Sequence, residues 1–66
     1  MEIYINQEKK VIDGEISIND LLSFLEIQNK YIAVEVNKTI IPKSEYEIFI
    51  VKNNDKIEII NAVGGG

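Results

Sequence analysis

The N-terminal residues alternate between apolar and polar, which is typical of β-strands that bury one face. One such run covers residues 2–6 and a second covers residues 10–12, with the polar Gln7-Glu8-Lys9 between them. Asp13-Gly14 follows the second run with a turn signal. This pattern predicts an N-terminal β-hairpin.

A helical spacing of apolar residues replaces the alternation after the hairpin. One stripe at i, i+3, i+4 and i+7 comprises Ile18, Leu21, Leu22 and Leu25. Ser17 stands where an N-cap is expected and Asp20 where a capping box has its acid, while Ile16 can pack onto the first turn. Asn29, within Gln28-Asn29-Lys30, can adopt a left-handed backbone and end the helix. We therefore predict one amphipathic helix packed on a sheet.

Strand signals return after the helix. Residues 31–37 alternate again, Asn37-Lys38 reads as a turn, and Thr39-Ile40-Ile41 forms a short strand that Pro42 ends. Ser44-Glu45-Tyr46-Glu47 has the Ser-x-x-Glu spacing of one capped helical turn, in which Ser44 is the cap. Residues 48–51 resume as strand, residues 53–55 form a last turn, and residues 56–62 form the final strand.

This order of elements predicts an α+β domain in which one main helix packs across one face of a mixed sheet. Isoleucine, which favours sheets, accounts for 14 of the 66 residues. A final strand lying parallel to the first would complete the β-grasp arrangement. We expect this domain to span residues 1–62 and a flexible glycine tail to span residues 63–66.

Composition argues against an enzyme. The chain has no His and no Cys, so it lacks the usual general base, thiol nucleophile and zinc ligands. No glycine-rich loop joins a strand to a helix to bind phosphate, and the carboxylates fit cap and turn positions. We expect no metal site, no bound cofactor and no catalytic activity of its own.

The net charge and the N-terminal residues argue against nucleic acid and membranes as partners. The net charge is −4, with seven Lys and no Arg, so no basic stripe is present to neutralise nucleic-acid phosphates. The first residues have neither a signal-peptide pattern nor an apolar run long enough to span a membrane. We expect a cytoplasmic protein that binds neither nucleic acid nor membrane.

The C-terminal run Val63-Gly64-Gly65-Gly66 follows the last strand without a polar spacer. Glycine-rich ends are commonly disordered linkers, but this run holds three of the four glycines and would end in a free carboxylate. Without side chains after Val63, it could reach about 14 Å into a narrow tunnel of a partner. Because a carboxylate has poor leaving groups, we expect a partner enzyme to activate it with ATP as an acyl-adenylate.

Four segments form a specific combination: Ala33-Val34-Glu35-Val36-Asn37, Ile41-Pro42-Lys43-Ser44-Glu45-Tyr46, Asp55-Lys56-Ile57-Glu58-Ile59 and Ala62-Val63-Gly64-Gly65-Gly66. Together they resemble the ThiS family, the ubiquitin-like sulfur-carrier proteins of thiamine biosynthesis. Two positions depart from the family's usual residues, since Tyr46 stands where Trp is frequent and Asn54 where Gly is usual. Asn tolerates positive φ best after Gly, so we expect the last turn to be kept.

The resemblance implies that an E1-like, ThiF-like enzyme uses ATP to adenylate the Gly66 carboxylate. Sulfur from a donor such as a cysteine desulfurase then converts it to a thiocarboxylate, and a ThiG-like thiazole synthase takes that sulfur. Gly65 and Gly66 are the residues carried over from the family, with Val63 and Gly64 at the base of the tail.

A partner surface is predicted beside the tail. If Ile57 and Ile59 face the helix, Ile60 and Ala62 face away from it. Exposed apolar patches mark partner sites, so we expect Ile60 and Ala62, together with Tyr46, to contact the activating enzyme. The alternative is that Ile60 is an ordinary exposed apolar residue.

Other functions stay open at this point. The small subunit of molybdopterin synthase resembles this fold and also ends in a Gly-Gly thiocarboxylate, although its chain is usually longer. Carriers for tRNA thiolation or cysteine synthesis share the tail chemistry. A ubiquitin-like binding module with an inert tail would use the sheet face alone.

Overall fold

The computed structural model describes residues 1–28 and 31–61. Its strands are β1 (Glu2–Ile5), β2 (Glu8–Val11), β3 (Ile16–Ser17), β4 (Ile32–Val36), β5 (Thr39–Ile41), β6 (Ile50–Val51) and β7 (Lys56–Asn61). Helix α1 spans Ile18–Phe24, and a 3-10 helix spans Lys43–Glu45. Among the described residues, no helix has the length and apolar character needed to cross a membrane.

The main sheet has five strands in the order β2-β1-β7-β4-β5, and β3 pairs with β6 in a separate two-stranded sheet. β7 lies at the centre, parallel to β1 and antiparallel to β4. A parallel neighbour cannot be reached through a tight turn, so the chain crosses over through α1 and the intervening strands. This topology confirms the predicted α+β, ubiquitin-like β-grasp fold.

One face of the main sheet packs against α1 to form the core. The helix contributes Ile18, Leu21 and Leu22, each at most 3% exposed, and Leu25 is partly buried against them. The buried residues of the sheet are Ile3, Ile5, Val34, Val36, Ile41 and Ile57. Full burial of such a side chain contributes about 1.5–3 kcal/mol. The predicted apolar stripe of the helix is therefore confirmed as its core-facing side.

The start of α1 is capped as predicted. The Ser17 Oγ accepts a hydrogen bond, 3.1 Å long, from the backbone N–H three residues later. The Ile18 N–H donates to the Phe49 carbonyl at 3.0 Å, and the Asn19 N–H donates to the Tyr46 carbonyl at 2.8 Å. The first N–H groups of a helix have no partner within it, so these bonds attach the loop at residues 46–49 to α1.

The segment between β5 and β6 differs from the prediction in two ways. The 3-10 helix begins directly after Pro42, which makes no side-chain capping bond, so the predicted cap at Ser44 is wrong. β6 comprises only Ile50–Val51 and pairs with β3 rather than with the main sheet. Residues 48–49 are absent from the strand because the loop backbone is bonded to the start of the helix.

The end of α1 comes earlier than predicted. Glu26 has a left-handed backbone with a φ of 59°. Its N–H donates to the Ser23 carbonyl at 3.0 Å, and the Ile27 N–H donates to the Leu22 carbonyl at 2.9 Å. This pair of bonds is a Schellman motif, and the partial burial of Ile27 against the core accompanies it. Asn29, where the ending was predicted, lies outside the described residues.

Two hairpin turns have both central residues at positive φ. Asn6 and Gln7 join β1 to β2 with φ values of 50° and 73°, and Asn37 and Lys38 join β4 to β5 with 51° and 71°. Such two-residue type I′ turns match the twist of the flanking strands. β2 therefore begins at Glu8, so the predicted three-residue linker is wrong, whereas the Asn37-Lys38 turn is confirmed.

Candidate functional site

The central strand β7 leads directly to the glycine-rich run. β4 is paired with β7 as far as the last residue of β7, since Ile32 is paired with Asn61. β1 pairs with β7 only at Lys56 and Ile57. The predicted site residues that follow lie outside the described part of the chain: Ala62, Val63, Gly64, Gly65 and Gly66. Their roles, and the domain boundary at residue 62, stay predictions.

Asn6 supports β7 beyond the end of β1. Its backbone N–H donates to the Ile57 carbonyl at 2.9 Å, and its side-chain Oδ1 accepts from the Ile59 N–H at 2.8 Å. The side-chain oxygen thus takes the place of a carbonyl that a longer β1 would supply. Asn suits this position because it also tolerates the left-handed backbone of the turn. β7 is consequently held on both sides as far as Ile59.

The turn before β7 is organised by amide and carboxylate side chains. Asp55 Oδ2 accepts from the Lys52 N–H at 2.8 Å, and Asp55 Oδ1 accepts from Asn37 Nδ2 at 3.0 Å. Asn37 Oδ1 in turn accepts from the Lys56 N–H at 3.0 Å. Asn54 has a φ of 71°, which confirms that it keeps the turn in place of Gly. This network fixes the start of β7 relative to the β4–β5 turn.

Ile60 lies on the open face, which we define as the face of the main sheet opposite α1. It is 47% exposed, and it is paired with Ala33 of β4. Its neighbours alternate as predicted, because Ile57 is 1% exposed and Ile59 packs partly against the core. An apolar side chain close to the base of the tail is therefore available to another protein.

Tyr46 does not contribute to this surface. Its side chain is 2% exposed and belongs to the core, and burial raises the pKa of its phenol. The prediction that Tyr46 contacts a partner is therefore wrong. The physical reason is the loop that follows the 3-10 helix, which is bonded to the start of α1 and brings residue 46 inward.

Other residues of the open face were not singled out from the sequence. Tyr4 is half-buried in β1, and Ile40 is 66% exposed in β5. Ile40 of β5 is paired with Glu35 of β4, and Glu35 is paired with Glu58 of β7. Neither the Glu35 nor the Glu58 carboxylate forms an ion pair with a described residue. Two like charges directly opposite each other on neighbouring strands are unfavourable. Alternation alone marks Tyr4 and Ile40 as outward, but only strand pairing places them on one face with Ile60.

The side chains near Ile60 on the open face are apolar and acidic. Residues 1–28 and 31–61 contain no group of three or more His, Cys, Asp or Glu that could hold a metal ion. The exposed apolar side chain of Ile60 and the carboxylates of Glu35 and Glu58 instead suit contact with a partner that has apolar and basic groups.

Comparison with known proteins agrees with the fold. The sequence profile of the ThiS family matches residues 1–66. The sulfur carrier protein ThiS of Bacillus subtilis is 44% identical over 50 residues, which cover 76% of this chain and 76% of that protein. A thiazole synthase of Paramagnetospirillum magneticum is 36% identical over 66 residues, which are 100% of this chain and 20% of that protein. The crystal structure of the thiamine biosynthesis protein ThiS from Geobacter metallireducens has a TM-score of 0.88 at 29% identity, with 100% of both chains covered. The chain therefore belongs to the ThiS family.

Proposed function

We propose that this chain is a sulfur carrier in thiamine biosynthesis and that the Gly66 carboxylate carries the sulfur. The match of the ThiS family profile to the whole chain carries this proposal. The fold supports it, because β7 is the central strand and is paired with β4 up to Asn61, two residues before Val63. A rigid domain attached to a short glycine run suits the delivery of one carboxylate to the active sites of other proteins.

The proposed chemistry starts on an E1-like, ThiF-like enzyme. An oxygen of the Gly66 carboxylate attacks the α-phosphorus of ATP, and pyrophosphate leaves. The outer sulfur of a persulfide on a donor such as a cysteine desulfurase then attacks the acyl carbon, and AMP leaves. A thiol reductant cleaves the resulting acyl disulfide, forms a new disulfide with the donor sulfur and releases the thiocarboxylate. ATP serves the activating enzyme, so in this scheme the carrier is a co-substrate that needs neither a cofactor nor a catalytic residue.

The proposed sulfur acceptor is a ThiG-like thiazole synthase. A segment similar to all 66 residues of this chain forms a fifth of the Paramagnetospirillum thiazole synthase. Joining two modules in one polypeptide raises the effective concentration of each for the other. The presence of such a segment within a thiazole synthase therefore supports a direct transfer between the carrier and this class of enzyme.

Intact-mass measurement tests the proposal. After incubation with ATP, the E1-like enzyme of the same organism, a cysteine desulfurase with cysteine and a thiol reductant, the chain should gain the mass difference between sulfur and oxygen. Deletion of Gly66 should abolish that gain and leave the thermal unfolding of the domain unchanged. If the wild-type chain gains no sulfur from an enzyme of demonstrated adenylating activity, the proposal fails in favour of a binding module. Sulfur gain by the shortened chain would refute the role of Gly66.

A further inference from the structure

A recess of about 570 Å³ opens on the sheet at the start of β7, at the opposite end of the strand from the tail. Its lining includes Tyr4, Gln7, Asn37, Lys38, Lys56 and Glu58. Tyr4 and Lys56 are paired across β1 and β7 and lie on the open face. The two hairpin turns contribute to the lining of the recess, with Gln7 from the first and Lys38 from the second. We call it the lysine recess.

The two ammonium groups of the lysine recess form no ion pair within residues 1–28 and 31–61. The chain has a net charge of −4, yet neither Lys38 nor Lys56 forms an ion pair with a described residue. Glu58 shares the lining without reaching salt-bridge distance of either lysine. Two cations are thus concentrated in one concavity of an acidic protein, and both remain available to an external anion.

A second feature of the recess is the backbone conformation at Lys38. Lys38 occupies the second position of a type I′ turn with a φ of 71°, where glycine is preferred because other side chains are less favourable there. Gln7 occupies the same position of the other hairpin turn, with a φ of 73°. Both turns therefore place a side chain, rather than glycine, in the lining of the recess.

We propose that Lys38 and Lys56 bind an acidic side chain of the E1-like enzyme that adenylates the tail. This inference rests on the proposed carrier function and adds a second contact point to it. Lys56 and Ile60 lie four residues apart on the same face of β7, about 13 Å from one another. A partner that covers Ile60 and takes up the tail can therefore also reach the lysine recess. Contacts at both ends of β7 define the orientation of the domain on its partner.

The lining favours a protein carboxylate over a free anion. A multiply charged ion such as phosphate would lie close to Glu58 and be repelled by it, whereas a partner can hold a single carboxylate at the lysine end. Exposed ion pairs contribute little free energy of binding, so the two lysines alone would not retain a free anion. The same charges contribute more within an interface, where they also speed association.

The test is the binding of the carrier to its E1-like enzyme at low and at high NaCl. Lys38→Gln and Lys56→Gln should each raise Kd roughly threefold to tenfold at low salt, mainly through slower association, and should weaken the salt dependence. Lys10→Gln is the matched control. It removes the same charge from β2 on the helix side of the sheet, where Lys10 lies 3.6 Å from Glu8, and it should bind like the wild type.

Lys38→Gly separates binding from folding, because it should bind more weakly while unfolding at a higher denaturant concentration. If both glutamine variants bind with the wild-type Kd and Gly66 is loaded normally, the lysine recess has no role in binding the enzyme. The proposed carrier function would be unaffected by that result. Failure of the wild-type chain both to bind and to be loaded would overturn both. Saturable binding of inorganic phosphate to the isolated carrier, lost in Lys56→Gln, would overturn the assignment to a protein carboxylate.

Discussion

Asn37 and Asp55, which are 18 residues apart in sequence, are joined by a side-chain hydrogen bond of 3.0 Å from Nδ2 to Oδ1. Asn37 belongs to the β4–β5 turn, and Asp55 immediately precedes β7. The side-chain Oδ1 of Asn37 also accepts a hydrogen bond from the Lys56 N–H. The start of β7, the strand that leads to the tail, is thus held by a contact with the β4–β5 turn.

Replacing Asp55 with Ala should lower the free energy of unfolding by about 1–3 kcal/mol, because the bonds from the Lys52 N–H and Asn37 Nδ2 are both lost. Urea denaturation measures this loss. Asp13→Ala is the control, since Asp13 is exposed and its carboxylate has no hydrogen bond among the described residues. Equal unfolding midpoints for the two variants would show that the Asp55 network does not stabilise the fold.

Replacing Gln7 with Gly should raise the free energy of unfolding by about 0.5–1 kcal/mol. The substitution relieves a left-handed backbone with a φ of 73°, and this gain exceeds the entropy that glycine adds to the unfolded chain. Glu8→Gly is the matched control, because Glu8 lies in β2, where glycine should destabilise. Thermal unfolding of both variants shows whether each substitution stabilises or destabilises the domain. A lower unfolding midpoint for Gln7→Gly than for the wild type would contradict backbone strain at Gln7.

Replacing Ile60 with Asp should leave stability within about 0.5 kcal/mol of the wild type, because the side chain is 47% exposed. The rate of Gly66 adenylation at limiting carrier concentration should fall at least about tenfold, since a charge in an apolar contact is costly. Ile48→Asp is the control. Ile48 is 74% exposed and lines a different groove with Phe49, so this variant should be adenylated normally. Wild-type kinetics for Ile60→Asp would remove Ile60 from the partner surface.

The buried phenol of Tyr46 predicts a loss of stability in alkali. Burial raises its pKa above the ordinary value of 10.0 in the folded state. The stabilising contribution is complete below the unfolded pKa and is lost as pH rises through it toward the folded pKa. Unfolding free energies measured from about pH 8 to about pH 11 should therefore decline. Tyr46→Phe should reduce the decline, and Tyr31→Phe, at an exposed position, should leave it in place.

Several elements followed from the sequence because they depend on neighbours along the chain. The cap at Ser17 and the apolar stripe of Ile18, Leu21 and Leu22 each involve residues only a few positions apart. Residue spacing alone therefore predicted both features. The Asn37-Lys38 turn was predicted for the same reason. Alternation in β7 likewise placed Ile57 inside and Ile60 outside. The tail chemistry of Gly66 was inferred from composition and family resemblance, and it concerns residues outside the described structure.

The tertiary structure decided what depends on residues far apart in sequence. Tyr46 is in the core because its loop bonds to the start of α1, a contact that no local pattern encodes. The helix ends at a left-handed Glu26 because Ile27 packs against the core. Lys38 and Lys56 lie in one recess because the Asn37 side chain draws the β4–β5 turn to the start of β7. Local sequence determines which backbone states and faces are accessible, and packing between distant segments selects among them.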